Sequence, residues 1–114
     1  MEDFLFIYRM DYAGSQSPAT PQEFETMMGK WQDWLGGIAA KNQLVAGGSR
    51  LKPEGSVVKP KNMVTDGPYI EMKEAVGGYS IIKAASLKEA TEIAKGCPIF
   101  LRGGNVEVRE IIQM

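Results

Sequence analysis

Hydrophobic positions along the chain fall into short apolar runs and into helical periodicities. The run Phe4 to Tyr8 is apolar at every position, which predicts a strand that is buried on both faces. Further main strands are predicted at 44–51, at 78–84 and, from an alternating pattern, at 106–111. Two shorter runs, 55–58 and 63–65, predict a small hairpin between the second and third main strands.

Two capping motifs predict the starts of two helices. Thr20 precedes Pro21 and Glu23, so the first helix begins there. The pair Gly36-Gly37 weakens it, so the helix either kinks at this pair or runs on to about Lys41. Its apolar residues recur every three or four positions, and they are Phe24, Met27, Met28, Trp31, Trp34, Leu35 and Ile38. At this spacing the two tryptophans indicate core packing better than an aromatic cage.

The second motif, Ser86 with Glu89, opens a shorter helix that Gly96 and Pro98 terminate. The resulting order, βαββαβ with an extra short hairpin, predicts a single α+β domain over residues 1–114. Right-handed crossovers make it ferredoxin-like, an antiparallel sheet with two helices on one face. The apolar second face of the first strand then needs a cover, and a second copy related by a two-fold axis supplies one. We therefore expect a homodimer, a dimeric α+β barrel.

Composition and charge argue against several classes of function. The 114 residues are 44% hydrophobic and 24% charged, and 13 basic against 14 acidic residues give no basic excess for nucleic-acid binding. The N-terminus has neither the basic start of a signal peptide nor the ~20 apolar residues of a membrane span. With one cysteine, no disulfide forms within the chain. We expect a cytoplasmic protein that binds neither nucleic acid nor membrane.

The residue types also limit the chemistry. No histidine occurs, which excludes Ser-His-Asp and Cys-His catalysis and the usual His and Cys transition-metal sites. No glycine-rich nucleotide-binding motif and no EF-hand pattern occur, so no cofactor and no metal site is predicted, although the carboxylates leave a hard cation open. Cys97 follows the C-terminal end of a helix, where the helix dipole disfavours a thiolate, and is interpreted as structural.

Asp66 is the candidate catalytic residue. It precedes Gly67-Pro68, where an aspartate commonly fixes a turn through nearby backbone amides. Alternatively, the turn holds the carboxylate at the end of a strand, facing a cavity, where it acts as general acid or base. Lys73 lies between Glu71 and Glu74 and is either part of a solvated charge run or a ligand-binding residue.

Arginines and tyrosines are the remaining candidates for ligand binding. Arg9 and Arg109, with Glu107, lie on strands predicted to be adjacent, and they form either ion pairs at an interface or a site for an anionic ligand. The tyrosines predicted to hydrogen-bond to a ligand are Tyr8, Tyr69 and Tyr79.

Several motifs together resemble the YCII-related family, in particular its DGPF-domain branch. The matching segments are Val64-Thr65-Asp66-Gly67-Pro68-Tyr69, Glu71, Lys73-Glu74, Gly77-Gly78-Tyr79, Ser86-Leu87 with Glu89-Ala90, Cys97-Pro98, Gly104 and Val106-Glu107-Val108-Arg109. The resemblance spans nearly the whole chain and implies a dimeric α+β barrel. In two respects this sequence departs from the family: Tyr69 takes the place of a phenylalanine, and the histidine–aspartate pair proposed as catalytic in the wider group has no counterpart.

Two functions from different classes follow. One is cofactor-independent acid/base chemistry on a small organic molecule, such as an isomerisation or lyase step, with Asp66 as acid or base. The other is a non-catalytic module that binds a ligand or protein; the resemblance implies a link to regulation by alternative sigma factors.

Overall fold

The computed structural model describes residues 1–10, 20–67 and 75–114. Its strands and α-helices are, in chain order, β1 (Glu2–Met10), α1 (Pro21–Ala40), β2 (Leu44–Ala46), β3 (Ser56–Lys59), β4 (Met63–Asp66), β5 (Ala75–Ala84), α2 (Leu87–Ala94) and β6 (Asn105–Glu110). Short 3₁₀ helices cover Pro60–Asn62 and Pro98–Arg102. Glycine, serine and proline predict a loop from Asp11 to Thr20, and all of this segment except Thr20 lies outside the described residues.

Four strands form one antiparallel sheet in the order β2-β5-β1-β6. β1 pairs with β5 on one side and with β6 on the other, so the first and third main strands are central. This order, with two helices packed on the sheet, confirms the predicted ferredoxin-like α+β fold. β1 takes the central place because its alternate side chains are apolar on both faces.

The two helices begin where the capping residues predict. The Thr20 side chain accepts a hydrogen bond from the Glu23 backbone N–H (3.1 Å), and the Glu23 carboxylate accepts one from the Thr20 N–H (3.4 Å). At α2, Ser86 accepts from the Glu89 N–H, but the Glu89 carboxylate accepts from Gln43 and from the N–H of Ala85 instead of closing the predicted box. Among the described helices, none combines the length and the apolar character that a membrane span requires.

The core lies between the helices and one sheet face. Phe4, Phe6 and Tyr8 of β1 are buried there. The Trp34 ring stacks on Phe6 with centroids 6.1 Å apart, and the Trp31 ring meets Tyr8 edge-on at 4.9 Å. Both tryptophans pack against the hydrophobic core, as their helical spacing predicts.

The second main strand is shorter than predicted. β2 ends at Ala46, and the predicted continuation to Leu51 is replaced by a turn at Gly48 and an isolated bridge between Arg50 and Gly78. Gly48 has a φ of +79°, and a methyl group there would overlap the carbonyl oxygen of Tyr79 on β5. The turn therefore depends on glycine for both its conformation and its space.

The predicted hairpin is present as a separate two-stranded sheet formed by β3 and β4. Its side chains are mostly exposed, and they include three large apolar residues, Val58, Met63 and Val64. Lys61 and Asn62 in its connecting turn have positive φ angles.

Candidate functional site

The sheet face opposite the helices, called the open face below, carries most of the predicted binding residues that the structure describes. Strand register arranges them in rows, because residues directly opposite in antiparallel strands share a face. One row places Leu5 between Ile81 on β5 and Arg109 on β6. The next row places Ile7 between Tyr79 and Glu107.

The open face is therefore apolar along β5 and β1 and charged along β6. Leu5, Ile7, Tyr79 and Ile81 are only partly buried in the single chain, whereas the corresponding residues on the helix face are fully buried. Alternation along β1 places Arg9 on the open face with Leu5 and Ile7, and a β-bulge that skips Gly77 of β5 brings Val76 opposite Arg9.

Two arginines converge on one carboxylate at the charged edge. The Arg9 Nε donates to Glu107 Oε1 at 3.0 Å, and Arg9 Nη2 lies 2.9 Å from the same oxygen. Arg109 Nη1 donates to Glu107 Oε2 at 3.2 Å. The hydrogen bonds from Arg9, and then those from Arg109, lower the pKa of Glu107. Glu107 therefore stays ionised at neutral pH and holds both guanidinium groups.

Tyr8 lies on the helix face, apart from the other predicted ligand-binding residues. Its hydroxyl donates to Ser80 Oγ at 2.7 Å, and Ser80 Oγ donates to the carbonyl oxygen of Gly47 at 2.7 Å. Burial raises the pKa of Tyr8 well above its ordinary value. This chain ties β1, β5 and the β2 turn together. The role of Ser80 was not predicted from the sequence. The signal for it is a serine within the apolar run of β5.

Asp66 is the last residue of β4, opposite Ser56 of β3. The N–H of Gly67 donates to the carbonyl oxygen of Gly55, and Gly67 has a φ of +79°, a backbone conformation that favours glycine. One hypothesis from the sequence required the carboxylate of Asp66 to face a cavity. In the single chain this carboxylate is exposed and is not enclosed. Within the described residues, none hydrogen-bonds to it. Its catalytic role stays a prediction.

Two predicted binding residues, Tyr69 and Lys73, lie in segment 68–74, which is outside the described residues. The same segment holds the charged neighbours Glu71 and Glu74. The structure therefore brings together Arg9, Tyr79 and Arg109 on the open face and places Tyr8 and Asp66 elsewhere.

A groove of about 540 Å³ lies between the start of α1 and the 3₁₀ helix that follows α2. Thr20, Met27, Lys30 and Leu101 are among its lining residues. None of the predicted site residues that the structure describes lines this groove.

Cys97 is buried between α2 and the 3₁₀ helix that follows it, with only 3% of its surface exposed. Burial raises the pKa of its thiol to about 12. We expect iodoacetamide at pH 8 to leave the folded protein unlabelled and to label it fully in urea, because the thiolate is the reactive species. Rapid labelling of the folded protein, followed by mass spectrometry, would contradict the structural role of this cysteine.

The fold and the open face define an α+β protein with a ferredoxin-like sheet, one face of which neither described helix covers. The family model of the YCII-related domain matches residues 5–114. The chain therefore belongs to the YCII-related domain family, which confirms the resemblance to that family, while the DGPF-domain branch stays a prediction.

One solved structure to which the chain is similar is 5-chloro-2-hydroxyhydroquinone dehydrochlorinase (TftG) from Burkholderia phenoliruptrix AC1100, in complex with 2,5-dihydroxybenzoquinone. The two sequences are 18% identical, the match covers 97% of this chain and 95% of that chain, and the TM-score is 0.47. No curated protein matches the chain significantly.

Proposed function

We propose that the protein is a homodimer that binds a small organic molecule on the open face, where the sheet of a second copy encloses it. The observation that supports this proposal is the arrangement of the open face, an apolar strip along β5 and β1 beside the charged cluster on β6. Ligand sites commonly combine apolar walls with a few polar groups that fix orientation.

Burial of the apolar strip along β5 and β1 by another surface is energetically favourable. Leu5, Ile7 and Ile81 are large side chains at the centre of the sheet that are already partly buried, so full burial gains each of them only part of the ~1.5–3 kcal/mol that a fully exposed side chain gains. Both described helices pack on the opposite face, so neither of them covers the strip, and the sheet of a second copy supplies a cover in this proposal. Packed sheets lie roughly 10 Å apart. Such a spacing leaves room for a flat small molecule wherever facing side chains are short.

The described titratable groups favour binding more than proton transfer. Glu107 has a lowered pKa, whereas Tyr8 and Cys97 have raised ones, so each of the three is moved away from a proton exchange near pH 7. A general acid or base works best with a pKa close to the working pH. This observation supports a second candidate function, ligand binding without turnover. In the catalytic version of the proposal, Asp66 is the acid or base. Formation of the homodimer brings Asp66 next to the bound molecule.

Asp66→Asn tests the catalytic version. We expect the variant to lose turnover by about 10²–10⁴-fold, the usual worth of general acid/base assistance. Its melting temperature should be nearly unchanged, because the carboxylate is exposed and makes no hydrogen bond with the described residues. Hydrogen–deuterium exchange next to the carbonyl group of small cyclic ketones and 2-oxo acids, followed by proton NMR, measures carbon-acid chemistry without a known substrate.

Asp33→Asn is the matched control, because Asp33 is an exposed aspartate on α1. Equal exchange rates in the wild type and in Asp66→Asn would remove Asp66 as the catalytic residue. Binding of panel members without any exchange in the wild type would support ligand binding without turnover.

A further inference from the structure

We infer that the ligand is a small organic monoanion with a flat apolar body, bound with its charged group at Arg109 and with Glu107 as the positioning residue. This inference rests on the proposed function and names the class of molecule that the open face takes. It follows from charge, geometry and the order of residues across the strands.

The charge of the cluster favours one negative charge on the ligand. Arg109 shares the Glu107 carboxylate with Arg9 and makes a single hydrogen bond to it at 3.2 Å, so among the described side chains the charge of Arg109 is only partly compensated. A monoanion at Arg109 completes this compensation, whereas a neutral molecule does not. Enclosure in a region of low dielectric strengthens the interaction and makes an unpaired charge costly.

The geometry selects Arg109 as the residue that meets the anion. Arg9 directs Nε and Nη2 at one carboxylate oxygen, and its side chain is 28% exposed. Arg109 uses only Nη1 on Glu107, and its side chain is 69% exposed. A guanidinium group has five N–H donors, so Arg109 retains donors for a carboxylate or phenolate oxygen. Glu107 orients it through the 3.2 Å hydrogen bond.

The row that contains Arg109 sets the shape of the ligand. Leu5 lies directly beside Arg109, and Ile81 lies beside Leu5. Neighbouring strands are about 4.8 Å apart, so these three residues span roughly 10 Å. That length fits one aromatic or alicyclic ring on the two apolar side chains with an anionic substituent at the arginine. Tyr79 and Ile7 continue the apolar surface in the next row.

Three probes with one ring and different charges test the inference: benzoate, its neutral analogue benzyl alcohol, and the dianion phthalate. Dissociation constants from amide chemical-shift titrations of the intact protein are the readout. We expect benzoate to bind about tenfold more tightly than benzyl alcohol, because charge-assisted hydrogen bonds are the stronger ones. Arg109→Gln should weaken benzoate about tenfold and leave benzyl alcohol unchanged. Lys83→Gln, which removes an exposed cation from another row of the open face, is the control and should change neither.

Glu107→Gln separates positioning from a structural role. It raises the net charge of the cluster, so the ratio of phthalate affinity to benzoate affinity should increase several-fold. Equal loss of both affinities would reduce Glu107 to a structural residue and overturn its assignment. If benzoate and benzyl alcohol bind equally in the wild type, the monoanion inference fails while the proposed function stands.

The remaining outcomes are equally decisive. If none of the probes shifts amides of the open face, both the inference and the proposed function fail. If Arg109→Gln leaves benzoate binding intact but converts the protein to monomers in sedimentation velocity, the cluster is a subunit contact and not an anion site. Melting temperatures of all variants within a few degrees of the wild type show that folding is preserved.

Discussion

Gly48→Ala is expected to destabilise the protein by about 4 kcal/mol or more, among the largest effects of a single methyl group in this chain. Alanine at a φ of +79° costs about 1–2 kcal/mol in any setting. At Gly48 the methyl group also overlaps the carbonyl oxygen of Tyr79, and backbone cannot move aside as a side-chain end can. Relief requires the turn after β2 to separate from β5.

That separation removes several hydrogen bonds at once. The N–H of Tyr79 donates to the Ser49 carbonyl oxygen at 3.2 Å, and Ser80 donates to the Gly47 carbonyl oxygen at 2.7 Å. Without the second bond, the buried hydroxyls of Tyr8 and Ser80 lose an acceptor, at a cost of about 1–3 kcal/mol. The effect therefore extends from the turn into the core.

Gly103→Ala is the matched control, since Gly103 has a φ of +76° but open space around the position of a methyl group. Urea unfolding of both variants at one protein concentration should give about 1–2 kcal/mol of destabilisation for Gly103→Ala and a much larger value for Gly48→Ala. Equal destabilisation of the two would show that the contact with Tyr79 imposes no constraint. A Gly48→Ala variant that does not fold agrees with the prediction, provided that Gly103→Ala folds.

Local patterns in the sequence predicted most of the helices and strands of the fold. The apolar run at Phe4 to Tyr8 predicted the central strand, and Thr20 with Glu23 predicted the start of α1, because each signal acts on neighbouring residues. The end of β2 was predicted wrongly, since Ser49 to Leu51 have no local signal against a strand. The turn there depends on close approach to β5, which is distant in the sequence.

The candidate site was less predictable, because it depends on which face each side chain occupies. Tyr8 and Arg9 are adjacent in the sequence and both were predicted to bind ligand, but alternation along the strand places Tyr8 in the core. The ion pair between Arg9 and Glu107 follows from the order of the strands. An ion pair was one of the two alternatives that the sequence left open, the other being a site for an anionic ligand. Asp66 was correctly placed at a turn, while its exposure depends on the hairpin standing apart from the main sheet.

Ile7→Lys is expected to weaken the proposed homodimer by at least about 100-fold. Ile7 lies at the centre of the open face, so a lysine there must lose its water when a second sheet covers it. The desolvation of a buried ion costs several kcal/mol, and 1.4 kcal/mol corresponds to a factor of ten in the dissociation constant. Two-fold symmetry places one such lysine on each copy, so the cost is incurred twice.

Lysine is the informative choice because the single chain tolerates it. Ile7 is directly opposite Glu107 on β6, and a cross-strand pair of opposite charges is mildly favourable. An aspartate at the same position would instead meet Glu107 as a like charge and confuse loss of folding with loss of assembly. Ile112→Lys is the matched control, since Ile112 is 81% exposed and lies beyond the end of β6.

Sedimentation equilibrium over a range of concentrations gives the dissociation constants of the wild type and both variants. We expect a wild-type and Ile112→Lys dimer at micromolar concentration and an Ile7→Lys monomer. Because the ligand site is proposed to need the second sheet, benzoate binding should be lost together with the dimer and return at higher protein concentration. A wild-type monomer at micromolar concentration would overturn the homodimer. An Ile7→Lys dimer of unchanged affinity would show that the copies meet on another surface, and the open face would then lose its cover and its role as an enclosed site.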